Sequence, residues 1–153
     1  MHERIQQAIL GGILGTLAMT AVGLYVAPMM GLAPMNPASM LASQMGGAAV
    51  LGWAGHLMIG TVLALIYVTV ALERLPGPSV LRGALFSLAP WLLAQIAVMP
   101  MMGMGLFSSS AMMAVGSLIG HLVYGAVLGA VVGAPVGSAI HDTKTSSVAS
   151  APS

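Results

Sequence analysis

The chain has 153 residues, 58% of them hydrophobic and 5% charged, with a formal net charge of +1. Soluble domains carry about 25% charged residues, so four Lys/Arg and three Asp/Glu leave a water-facing surface uncovered. Four basic residues make no basic stripe, which argues against nucleic acid as a partner, and the lack of cysteine removes disulfides, thiolate zinc sites and cysteine nucleophiles.

After Met1-His2-Glu3-Arg4 the chain has no charged residue until Glu73. Residues 8–30 form a first apolar run, too long for a signal peptide, and Ala27, the one candidate cleavage position, has Tyr25 where a small residue belongs. A retained helix is expected there. The linker 31–47 carries Pro34, Pro37 and Gly46-Gly47, and within it Asn36-Pro37 reads as the N-cap and first residue of a short helix. Residues 48–72 form a second run, ended by Pro76-Gly77-Pro78, and residues 80–102 a third, ended by Gly103, Gly105 and Ser108-Ser109-Ser110. The fourth covers 111–136. Each run has 23 to 26 residues, and a helix needs about 20 apolar residues to cross a bilayer core. The expected architecture is all-α and polytopic: a domain over 1–139 with four transmembrane helices in the lipid bilayer. The polar stretch 140–153 is expected to be a disordered cytoplasmic tail.

Arg4, Arg74, Arg82 and Lys144 fall on one side of a four-span chain, and the opposite linkers hold no charge. The positive-inside rule then puts both termini in the cytoplasm, as expected for a multi-pass protein of the inner membrane.

The halves repeat. VAPMMG at 26–31 recurs as VMPMMG at 98–103, and GHLMIGTVL at 55–63 recurs as GHLVYGAVL at 120–128. Two tandem hairpins of the same orientation follow, related by an axis along the membrane normal. Small residues run in steps of four through Ala48, Gly52, His56, Gly60 and Ala64, and again through Ser117, His121, Gly125, Gly129, Gly133 and Gly137. Such stripes permit close helix approach, and the expected pairing is between the second and fourth spans. A stripe turned outward serves a homo-oligomer or a larger membrane complex equally well.

Pro28-Met29-Met30-Gly31, Gly52-Trp53 with His56, Leu75-Pro76-Gly77-Pro78, and Gly120-His121 with Tyr124, Gly125 and Gly129 form a combination of motifs. It resembles an uncharacterised family of small prokaryotic four-helix membrane proteins, over roughly residues 8 to 136. The resemblance implies the topology and carries no activity, cofactor or partner.

His56 and His121 lie well inside their helices, where an ionisable group is costly and needs a partner. Three readings stand. In the first, the imidazoles bond across helices to Thr16, Thr20 or Gln95, and the protein is a non-enzymatic structural or accessory component. In the second, the pair is a cofactor or metal site. Two facing imidazoles suit the axial positions of haem b, although no outer Arg or Lys is placed to pair its propionates. Copper suits imidazole together with soft thioethers, and twelve of the 14 methionines, all but Met1 and Met19, lie towards the uncharged side. Met29, Met30, Met101 and Met102 are the candidate ligands beside His56 and His121. In the third, symmetric halves and proline-broken helices belong to a transporter or channel subunit. No acidic residue lies within a span, so carboxylate catalysis and a Ser-His-Asp triad lack their parts, and no catalytic residue is assigned.

Overall fold

A computed structural model of the chain describes residues 2–133. The expected tail, residues 134–136 of the fourth span, and Lys144 lie outside the described residues.

Among the described residues every element is helical. Four helices are long and apolar enough to cross a bilayer: α1 (His2–Met29), α3 (Ala49–Ala71), α4 (Ser79–Met101) and α5 (Ala111–Gly133). Between α1 and α3 lies the short α2 (Pro37–Gln44), whose first turn is capped by Asn36 Oδ1 accepting from Ser39 N at 3.2 Å. A 3-10 turn, Leu106–Ser109, precedes α5. Helix α1 starts at His2, before the apolar run begins, because Gln6 and Gln7 continue the helix and Glu3 sits in its first turn, where a carboxylate meets the positive pole of the backbone.

Three of the long helices widen into π-helical segments, at Val22–Val26, Tyr67–Ala71 and Ala94–Val98. Two of these have a cause in proline. Pro28 and Pro100 follow the first and third, and a proline ring crowds the carbonyl four residues back while offering no N–H to it. Those carbonyls belong to Leu24 and Ile96, inside the widened segments. At the remaining segment the Thr69 hydroxyl donates to Leu65 O at 2.8 Å, and a side chain that engages ladder carbonyls loosens the ladder.

Helices α1 and α5 pack at the centre, with α3 against α1 and α4 against α5. Much of the interior is small or polar: Ala8, Gly12, Thr16 and Thr20 of α1, Gly83 and Ser87 of α4, and Gly116, Gly120, Gly125 and Gly129 of α5 are buried, with Tyr67, Tyr124 and Leu128 as large side chains among them. Many large apolar side chains face outward instead, with Val50 79%, Met58 64%, Met112 58% and Val70 53% exposed. Water would penalise that arrangement, whereas lipid makes helices associate through small residues and interhelical hydrogen bonds.

The small-residue stripes do not meet each other as expected. The α3 stripe receives α1 and α2: a Cβ on Gly60 would strike Thr16 Oγ1, and one on Gly52 would strike Ala38 O. On α5, Gly125 and Gly129 receive α4 instead, at Gly83 and Ser79. Each stripe is used, but on a different neighbour, because α1 lies between α3 and α5. One bond links α5 to the α3 stripe: Tyr124 donates its hydroxyl to Gly60 O at 2.6 Å.

Helices α3 and α4 meet near the charged end of the bundle. There the rings of Tyr67 and Phe86 lie 5.2 Å apart, Arg82 donates to Leu72 O at 3.2 Å, and Arg4 pairs with Glu73 at 3.2 Å. Towards the other end they make little contact.

Candidate functional site

The gap between α3 and α4 is backed by α1 and α5 and roofed at the uncharged end by the start of α2 and the Leu106–Ser109 turn. It holds a cavity of about 280 Å³ that stays open sideways between α3 and α4, where the lining residues Ile59 and Leu93 are exposed. The roof depends on Gly23: Met35 N donates to Gly23 O at 2.9 Å, and any side chain at position 23 would strike Met35 O. Glycine there lets the linker fold back onto α1.

Both sequence-selected histidines line this cavity. The Thr20 hydroxyl donates its single proton to Thr16 O at 2.9 Å. Its 3.1 Å bond to His56 Nε2 must therefore use an N–H of the imidazole, which leaves His56 Nδ1 as a bare lone pair. His121 Nδ1 lies 2.9 Å from Ser117 O, and a carbonyl only accepts, so Nδ1 carries the proton and Nε2 is the bare nitrogen. Among the described residues the sole buried side-chain nitrogen or oxygen without a partner is Arg82 Nε. Neither free imidazole nitrogen is such an atom, so each keeps some exposure on a residue that lines the cavity.

The walls are mostly apolar and sulfur-rich: Met19, Met35, Met40, Met99, Met102, Met104 and Met113 all line the cavity. Of the candidate ligands named from sequence, His56, His121 and Met102 come together here. Met29 and Met101 point away at 86% and 85% exposure, and Met30 is 41% exposed; none of these three lines the cavity. The other six methionines were not singled out by sequence reasoning. Met19 had a readable signal, since it falls between Thr16 and Gly23 at helical spacing on the buried face of α1. The rest converge from linkers and other helices, which no spacing rule reports.

Beside His121 runs a polar chain. Gln95, fully buried in the widened part of α4, donates through Nε2 to Ser117 Oγ at 3.2 Å, and its Oε1 accepts from Ser108 Oγ at 3.2 Å. The partner expected for Gln95 among the histidines is thus a serine. Trp91 Nε1 donates to Ala114 O at 3.2 Å, which holds α4 to α5 above the cavity.

Among the described residues no three His, Cys, Asp or Glu cluster together, so a hard divalent ion would meet only two imidazoles. The cavity lies below the 300–1,000 Å³ common for larger organic ligands, and none of its lining residues is charged. It therefore suits a single soft ion better than a haem macrocycle with two propionates.

The profile of a family of unknown function, DUF6789, matches residues 2–142, and the chain belongs to that family. No curated protein and no solved structure matches the chain.

Proposed function

We propose that this member of the family is an inner-membrane protein, both termini cytoplasmic, that holds one Cu(I) ion between His56 and His121 within a methionine-walled cavity. The carrying observation is the pair of imidazoles on one cavity, each with its N–H tied off and its other nitrogen free. Metal-binding histidines typically anchor the second ring nitrogen to a carbonyl or similar acceptor, which fixes the tautomer and aims the lone pair. Thr20 and Ser117 fill that role here. Imidazole and thioether are ligands that a soft monovalent copper ion favours.

The packing reading accounts for one histidine only. His56 bonds across from α3 to α1 and so helps hold two helices together. His121 bonds a carbonyl of its own helix, four residues back, which does nothing for helix association. A neutral, anchored imidazole facing a cavity is better explained by a ligand.

Two further parts of this reading concern arrangement. We read the chain as two tandem hairpins, supported by matching exits from α1 and α4. Each has a five-residue π segment, then a Pro-Met-Met turn, then glycine at φ 78° in Gly31 and 77° in Gly103. The orientation rests on the gathering of Arg4, Glu73, Arg74 and Arg82 at one end, and a reporter fused to Ser153 and found outside the cell would reverse it.

The metal reading is tested by titrating the detergent-solubilised protein with Cu(I), under reductant, against a chromophoric chelator. One copper per chain is expected. His121→Ala should weaken binding at least tenfold, roughly the loss seen even for outer-shell partners, with little change in melting because its hydrogen bond is intrahelical. Equal copper uptake by the wild type and the His56→Ala/His121→Ala double variant would overturn the reading. A Soret band in the purified protein would replace it with haem.

A further inference from the structure

The Leu106–Ser109 turn stands between the cavity and the uncharged end, and its backbone is strained. Phe107, Ser108 and Ser109 have φ of 52°, 57° and 52° in succession. Non-glycine residues rarely enter the left-handed region singly, and three in a row persist only when their surroundings hold them. Three contacts hold them. Ser108 donates to Gln95 Oε1 at 3.2 Å, Ser109 donates to Met104 O at 2.9 Å, and the Phe107 ring sits 6.2 Å from that of Trp91. Leu106 is 63% exposed while Ser108 lines the cavity, so the turn separates the cavity from the uncharged end.

We propose that this turn is the door of the cavity and that Gln95 is its latch, acting as a positioning residue rather than a ligand. Gln95 is suited to the role because its two ends serve different masters. Oε1 holds Ser108 in the door, and Nε2 holds Ser117, whose carbonyl fixes the His121 tautomer. Releasing Ser108 lets three left-handed residues relax, which opens the wall towards Met104 and Met113. The same amide bonds only the Ser117 side chain, whereas His121 is held by the Ser117 backbone carbonyl inside α5, so His121 keeps its tether when the door opens. With the door shut, the uncharged end of the cavity is closed and only the side between α3 and α4 stays open. The inference deepens the copper reading and rests on it for the identity of the guest, but the door itself is a property of the empty protein.

The test measures access with and without metal. Copper-free protein in detergent is exposed to dilute hydrogen peroxide, and methionine sulfoxide is quantified by mass spectrometry at Met104 and Met113. Met29 and Met101, already exposed, serve as internal standards. Ser108→Ala keeps the strain and deletes the latch bond. It should raise oxidation of the cavity methionines roughly fivefold relative to the standards, the ratio that one lost hydrogen bond corresponds to. Gln95→Met, close in volume and without hydrogen-bonding ends, should do the same. In Ser108→Ala, Cu(I) uptake and release should both accelerate by a similar factor while the equilibrium affinity holds. Unchanged oxidation ratios in both variants, with only a lower melting temperature, would overturn the door and leave the turn a structural element. If oxidation rises as expected but the wild type takes up no copper, the door stands and the metal reading falls.

Discussion

Substituting Gly83 by alanine tests whether this bundle is held by backbone contact. Helices α4 and α5 cross with Gly83 against Gly125 and Gly129, and a Cβ on Gly83 would collide with Gly125 O and lie 2.8 Å from Gly129 N. Ordinary contact begins at 3.4 Å, and both obstacles are backbone, which cannot rotate aside. The helices must part along their whole crossing. Overpacking of this kind costs about 1–3 kcal/mol, against about 0.5–1 kcal/mol gained when alanine replaces glycine inside a helix. A net loss of about 1–2 kcal/mol is expected. Gly55→Ala supplies the control, since its Cβ would meet nothing closer than Leu41 Cδ1 at 3.8 Å, so only the helix-propensity gain applies. Equilibrium unfolding in mixed micelles, with helicity followed by circular dichroism, reads both. If Gly83→Ala is as stable as Gly55→Ala, backbone contact between α4 and α5 is not what joins them. Gly125→Ala should cost a similar amount. The double variant with Gly83→Ala should cost less than the two singles together, because helices already parted by one methyl have room for the next.

Thr20→Val removes the acceptor that fixes the His56 tautomer at nearly constant volume, and Cu(I) affinity should fall roughly tenfold, as for other outer-shell losses; unaltered affinity in the chelator competition would remove Thr20 from the site. Tyr124→Phe deletes the bond from α5 to Gly60 O, and micelle unfolding should show a loss of about 0.6–1 kcal/mol, with the melting temperature unchanged if the hydroxyl finds an equal partner in the unfolded bundle.

The four helices were legible because a bilayer imposes a length: charge vanishes between Arg4 and Glu73, and prolines and glycines mark the linkers. The cap at Asn36 was legible because Asn-Pro is a local signal that needs no tertiary context. Which stripe meets which helix was not. Gly52, Gly60, Gly125 and Gly129 announce close approach, but one sequence does not say to whom, and α1 turned out to sit between the expected partners. Of the site, the histidines stood out through the cost of an imidazole in lipid, and Thr20 was among the partners foreseen. The methionines were harder to sort. Met101 and Met102 are neighbours in sequence with the same chemistry, yet one faces outward and the other the cavity, a choice made by helix phase. The door strain at Phe107–Ser109 has no sequence signature either, since nothing in Phe-Ser-Ser demands a left-handed backbone.

The two proline-linked π segments set that phase. Widening a helix by one residue advances every following side chain by about 100° relative to an unbroken α-helix. Deleting a single residue from Val22–Val26 or Ala94–Val98 would thus rotate the Pro-Met-Met exit as a block, carrying Met29 or Met101 round the helix and displacing its neighbour. A one-codon insertion or loss at either place re-indexes which sulfur looks inward, at the expense of the contacts of Gly23 or Gln95, which lie in the same two segments.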